Sequence, residues 1–158
     1  MFFDALVIDI LQTTRVEYTE NCEIVSETSE AYHSYNWEDS FINLCLEKWW
    51  GDTWLIVHEV WHELNFRIKD EPNFKNYINA WQTLNSMSRL DQDFTSDYAR
   101  KNIKEDFAET FKEYYRLNKN IPDYIKPDWI YGWISKIQVA KFQLMDIIVK
   151  EYFKTLTQ

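Results

Sequence analysis

Two glycines, Gly51 and Gly132, are all that this chain of 158 residues contains, and the scarcity narrows its chemistry at once. Loops that cradle phosphate need several glycines at short spacing, so neither a Walker A loop nor a GxGxxG turn can be written here. The length suits one domain over residues 1–158 and can bury a core without disulfide staples. Hydrophobic residues make up 46% of the chain, too many for a disordered tail despite a net charge of −9. No apolar run is long enough to cross a bilayer. The opening MFFDALVIDILQ lacks the basic flank and small-residue cleavage site of a secretory signal. With two cysteines, Cys22 and Cys45, and no CxxC, a reduced intracellular setting is the simpler reading.

The charge is concentrated. Residues 1–60 carry twelve acidic side chains against Arg15 and Lys48, so the remainder is close to neutral. An acidic surface repels phosphate, and no basic patch offsets it, so no nucleic-acid partner is expected. A basic peptide or protein partner suits the N-terminal part better, and a solvated acidic face that aids solubility is the plainer alternative.

The pattern along the chain predicts an α+β fold dominated by helices. Residues 3–14 are densely apolar and fit either a short helix or a buried strand. Val16 and Tyr18, Ile24 and Val25, and Phe41–Leu46 read as strands of a small N-terminal sheet spanning about 16–46. Trp49–Asp52 reads as a turn before a helix over 53–68, which buries Leu55, Val57, Trp61, Leu64 and Ile68. Asn73 is placed to cap a helix carrying Phe74, Tyr77, Ile78, Trp81 and Leu84, and 86–97 is loop-like. Asn102 is placed to cap a helix over 103–117. A long last helix is expected over about 129–153, with Ile130, Trp133, Ile134, Ile137, Leu144, Ile147 and Ile148 on its apolar face and Ala140 allowing close approach.

Two of the three histidines fall in one pentapeptide, His58-Glu59-Val60-Trp61-His62. Residues four apart lie on one face of a helix, so both imidazoles can reach one tetrahedral Zn²⁺, with Glu59 beside them as general base. Two partly exposed helix histidines flanked by solvated glutamate are the plainer alternative. A catalytic zinc needs a third protein ligand. His33 has no motif around it and reads as a surface residue. Glu105 and Glu109, one helical turn apart, are the better sources. Glu105 could instead complete a capping box with Asn102, while Glu109 lies between Phe107 and Phe111, and spacing alone does not choose between them.

HEVWH followed by Tyr98-Ala-Arg-Lys-Asn-Ile-Lys-Glu-Asp-Phe-Ala-Glu109 resembles the catalytic domain of anthrax lethal factor and its relatives. Those relatives include the bacterial Pro-Pro endopeptidases and other small gluzincin-type metallopeptidases. The resemblance covers roughly residues 41–116. It implies a zincin-like domain, with His58, His62 and Glu105 as zinc ligands, Glu59 as general base and Tyr98 as donor to the oxyanion. It makes Glu109 a residue that could orient a ligand histidine, and Asn102 matches the family asparagine. Lys101 stands where the family usually has Thr. The function implied is zinc-dependent hydrolysis of peptide bonds through a metal-activated water. An extended substrate would lie along an exposed sheet edge, for which the Phe41–Leu46 strand is the candidate.

A second class of function is set by the aromatics. Eight Trp, ten Tyr and ten Phe exceed what one core of this size usually consumes, and exposed aromatics favour protein interfaces. The alternative is therefore a structural or interaction subunit that reuses a zincin fold in a larger assembly, with structural zinc or vestigial activity. A bacteriophage head–tail connector or tail component, located in the virion, is an example.

Overall fold

In the computed structural model, residues 2–19, 31–35, 40–45, 53–120 and 135–156 are described. The expected strand at Ile24–Val25, the turn at Trp49–Asp52 and the start of the last helix lie outside these residues. The fold is α+β, mostly helical, with a small sheet and a long C-terminal helix. The chain forms two compact units, Met1–Arg67 and Ile68–Gln158.

In the N-terminal unit the ambiguous apolar stretch is helix α1, Phe2–Thr13. It buries Leu6, Val7 and Ile10 and leaves Ile8 exposed. Its end is marked by hydroxyls that bond back to the preceding turn: Thr13 Oγ1 donates to Asp9 O at 2.8 Å and Thr14 Oγ1 to Ile10 O at 2.6 Å. Such side chains offer the backbone an alternative to further helical bonds. Strands β1 (Arg15–Thr19), β2 (Ala31–Tyr35) and β3 (Ser40–Cys45) follow.

The sheet order is β1-β3-β2. β1 runs parallel to β3 with Val16 opposite Ile42, and β2 runs antiparallel to it with His33 opposite Ile42. Ile42, Asn43, Leu44 and Cys45 are all buried, as a central strand covered on both faces requires. This corrects the expectation that Phe41–Leu46 offers an edge to a substrate, because β3 pairs on both sides; among the described residues the edges belong to β1 and β2. Cys45 is disulfide-bonded, where free thiols were the expectation; the sequence's other cysteine, Cys22, lies outside the described residues. Helix α2 spans Thr53–Ile68, with the bounds expected from its pattern, and Val57, Val60, Trp61 and Leu64 are buried.

In the C-terminal unit, α3 (Lys75–Met87), α4 (Ile103–Asn120) and α5 (Lys136–Leu156) pack pairwise. The Trp81 and Phe107 rings meet edge to face, 4.8 Å between centroids, a favoured aromatic geometry. Asn73 does not cap α3. It sits inside a 3-10 turn, Pro72–Phe74, and α3 begins after Phe74 with no side-chain cap. Pro72 sets that turn, since its fixed φ suits a first helical position. Stretch 86–97 is not all loop: α3 runs to Met87, and a second 3-10 turn covers Asp91–Asp93.

Helix α5 is capped by Ser135, whose Oγ accepts the Gln138 N–H at 3.1 Å. Its buried residues are Gln138, Lys141, Leu144, Met145, Ile148, Val149 and Tyr152, with Leu144 and Ile148 on the buried side as expected. Ile147, expected on the apolar face, is 43% exposed. Two polar residues, Gln138 and Lys141, occupy buried positions in the first half of the helix. No described helix is long and apolar enough to cross a membrane.

Candidate metal centre

His58 and His62 stack one turn apart on α2, their Nε2 atoms 3.1 Å apart and their rings steeply inclined, at 78°. That separation serves either an N–H···N hydrogen bond or two lone pairs aimed at one cation. Zn–N bonds of about 2.0–2.1 Å at a tetrahedral angle put two ring nitrogens ~3.3 Å apart, so the pair fits zinc with little movement. His58 is buried and His62 half-buried. Glu59, next in sequence, is 4% exposed.

The histidine-bearing stretch of α2 is tied to α1 by a polar network. Glu63 is buried beside Trp61 and Leu64, and the Arg67 Nε donates to its Oε1 at 2.7 Å. The remaining Arg67 nitrogens donate to Thr13 Oγ1 and Thr14 Oγ1, both at 2.8 Å. A cation at the C-terminal end of α1 also suits the helix dipole. Glu63 and Arg67 were not foreseen as a pair, although glutamate four residues before arginine is a readable helical signal.

Asn102 does cap α4. Its backbone is extended, φ −168° and ψ 172°, and its Oδ1 accepts the N–H groups of Lys104 at 2.9 Å and Glu105 at 3.1 Å. This holds Glu105, half-buried, in the first helical turn, where a carboxylate is favoured by the exposed amides. The histidine pair belongs to the N-terminal unit and Glu105 to the C-terminal unit. His33 sits in β2.

Tyr98 opens a 3-10 turn, Tyr98–Lys101, just before Asn102. It is 45% exposed, with the Lys101 Nζ 4.8 Å above its ring. Glu109 is buried. Its Oε2 accepts from Ser96 Oγ at 2.7 Å, and its Oε1 pairs with Lys112. Ser96 carried no sequence signal, because its partner lies thirteen residues on.

A further unforeseen pair lies beside Glu105 in sequence. Asp106 on α4 and Lys141 on α5 are both fully buried and meet at 2.8 Å. Burial pushes the Asp106 carboxyl up and the Lys141 ammonium down, against the bonds each makes to the other.

No known protein family, curated protein or solved structure gives a significant match to the chain.

Proposed function

We propose that the chain is a zinc-dependent metallopeptidase of zincin-like fold. In this reading His58, His62 and Glu105 hold the metal, Glu59 is the general base and Tyr98 the donor to the substrate carbonyl. The observation that carries it is the histidine pair on α2, spaced for one tetrahedral ion, with the buried carboxylate of Glu59 directly after the first histidine. The resemblance to the lethal factor family at two motifs supports it further.

Zinc at such ligands acidifies a water and polarises a carbonyl. Glu59 takes the proton of the attacking water on its carboxylate and later returns it to the leaving amine nitrogen. The apolar neighbours Val57, Val60 and Trp61, all buried, anchor the helix so that Glu59 and the imidazoles stay in register. The Tyr98 hydroxyl donates to the carbonyl oxygen as negative charge grows there. Asn102 joins two of these parts, ending the turn that carries Tyr98 and capping the helix that presents Glu105. The substrate is a peptide or protein.

Zinc analysis paired with cleavage of a quenched fluorescent peptide library tests the reading. Wild type and Glu59→Gln should each hold about one zinc per chain. Turnover by Glu59→Gln should fall roughly 10²–10⁴-fold, the scale of a lost general base. A chain that binds no zinc overturns the proposal. Zinc without turnover in the wild type favours a structural subunit.

A further inference from the structure

The turn that carries Tyr98 is braced from α4 through one hydroxyl. Ser96 Oγ donates to the Glu109 carboxylate at 2.7 Å and accepts the Ala99 N–H at 3.1 Å. A serine hydroxyl has one proton to give and lone pairs to receive, so it can make both bonds together. The two bonds straddle Tyr98. The bond to Glu109 is charge-assisted and therefore among the stronger kind, and the carboxylate is itself buried and paired with Lys112. At the other end of the turn, Asn102 locks into the first turn of α4. The backbone around an exposed tyrosine is thus pinned on both sides by the helix that bears Glu105.

We propose that Ser96 is a positioning residue, relaying the Glu109 carboxylate to the backbone at Ala99 and so fixing the direction in which Tyr98 presents its hydroxyl. The inference rests on the peptidase reading for the use of Tyr98, and on unit-internal geometry for the brace. Glu109 thereby acts on the tyrosine turn. Ser96 touches no substrate atom; its effect passes through Tyr98.

Two measurements on the full chain test this. In the first, fluorotyrosine is placed at position 98 and read by fluorine NMR in the metal-free and zinc-loaded protein. Wild type and Ser96→Thr should give the same single resonance, while Ser96→Ala should shift or broaden it. An unchanged resonance in Ser96→Ala overturns the brace. In the second, Ser96→Ala should lower kcat by about tenfold, as expected for loss of one hydrogen bond to a charged group, with KM and zinc content unchanged. Ser96→Thr should restore the rate. In a Tyr98→Phe background Ser96→Ala should cost nothing more, because its route of action is gone. Losses that add, or a loss in KM alone, overturn the proposal. If the zinc-loaded wild type cleaves nothing, the peptidase reading fails, and the fluorine measurement decides the brace separately.

Discussion

Lys141 lies fully out of water, a state lysine tolerates only when its charge is matched. Its Nζ reaches Asp106 Oδ2 at 2.8 Å and Oδ1 at 3.0 Å, donates to Asp93 O at 2.8 Å and faces the Phe94 ring at 4.4 Å. Asn85 Nδ2 donates to Asp106 Oδ2 at 2.9 Å. Replacing one partner strands the other, so Lys141→Met should cost about 3–5 kcal/mol in urea unfolding, and Lys141→Met with Asp106→Leu should recover most of it. Asp93 behaves differently. Burial works against its charge, but the Ser135 hydroxyl and the backbone N–H groups of Arg89 and Leu90 outweigh it and hold the carboxyl below its ordinary value of 3.8. The unfolded chain therefore binds that proton more readily. The stability Asp93 contributes is complete above pH 3.8 and lost as pH falls through the lower folded value. Asp93→Ala should flatten the acid limb of a stability–pH curve while lowering stability at neutral pH.

At the level of single elements, legibility followed locality. The bounds of helix α2 were readable because the apolar spacing and the His58–His62 spacing share one period. The α4 cap was readable because Asn102 acts on neighbours two and three residues away. Strand β2, Ala31-Tyr-His-Ser-Tyr35, escaped notice: it lacks the alternating apolar pattern, and its pairing with β3 is what makes it a strand. The α3 start was misplaced because Pro72 imposes a 3-10 turn before the helix, a rule of backbone geometry that outranks the capping preference of Asn73. These two asparagines give a direct contrast. Asn102→Ala should destabilise by about 1 kcal/mol, whereas Asn73→Ala should stay within about 0.5 kcal/mol, both measured by chemical denaturation. The Arg67 network makes the stronger claim on α1: Arg67→Ala leaves Glu63 buried without its guanidinium and should cost roughly 2–3 kcal/mol.

For the molecule as a whole, the two units differ in what holds them. The N-terminal unit has a three-stranded sheet whose central strand ends at a disulfide-bonded Cys45. The C-terminal unit relies on packed helices and a buried ion pair. A reductant should therefore destabilise the N-terminal unit by about 2–4 kcal/mol, seen as faster amide exchange in β3. The sequence could not announce this, since two cysteines without a motif fit either redox state. Nor could it announce Gln138 and Lys141 as interior residues, because their partners come from elsewhere in the chain. Among the described lysines Lys141 alone is buried. An amine-reactive reagent should thus modify the exposed lysines promptly and reach Lys141 only when the helices part, so peptide mapping of that one position offers a built-in clock for opening of the C-terminal unit.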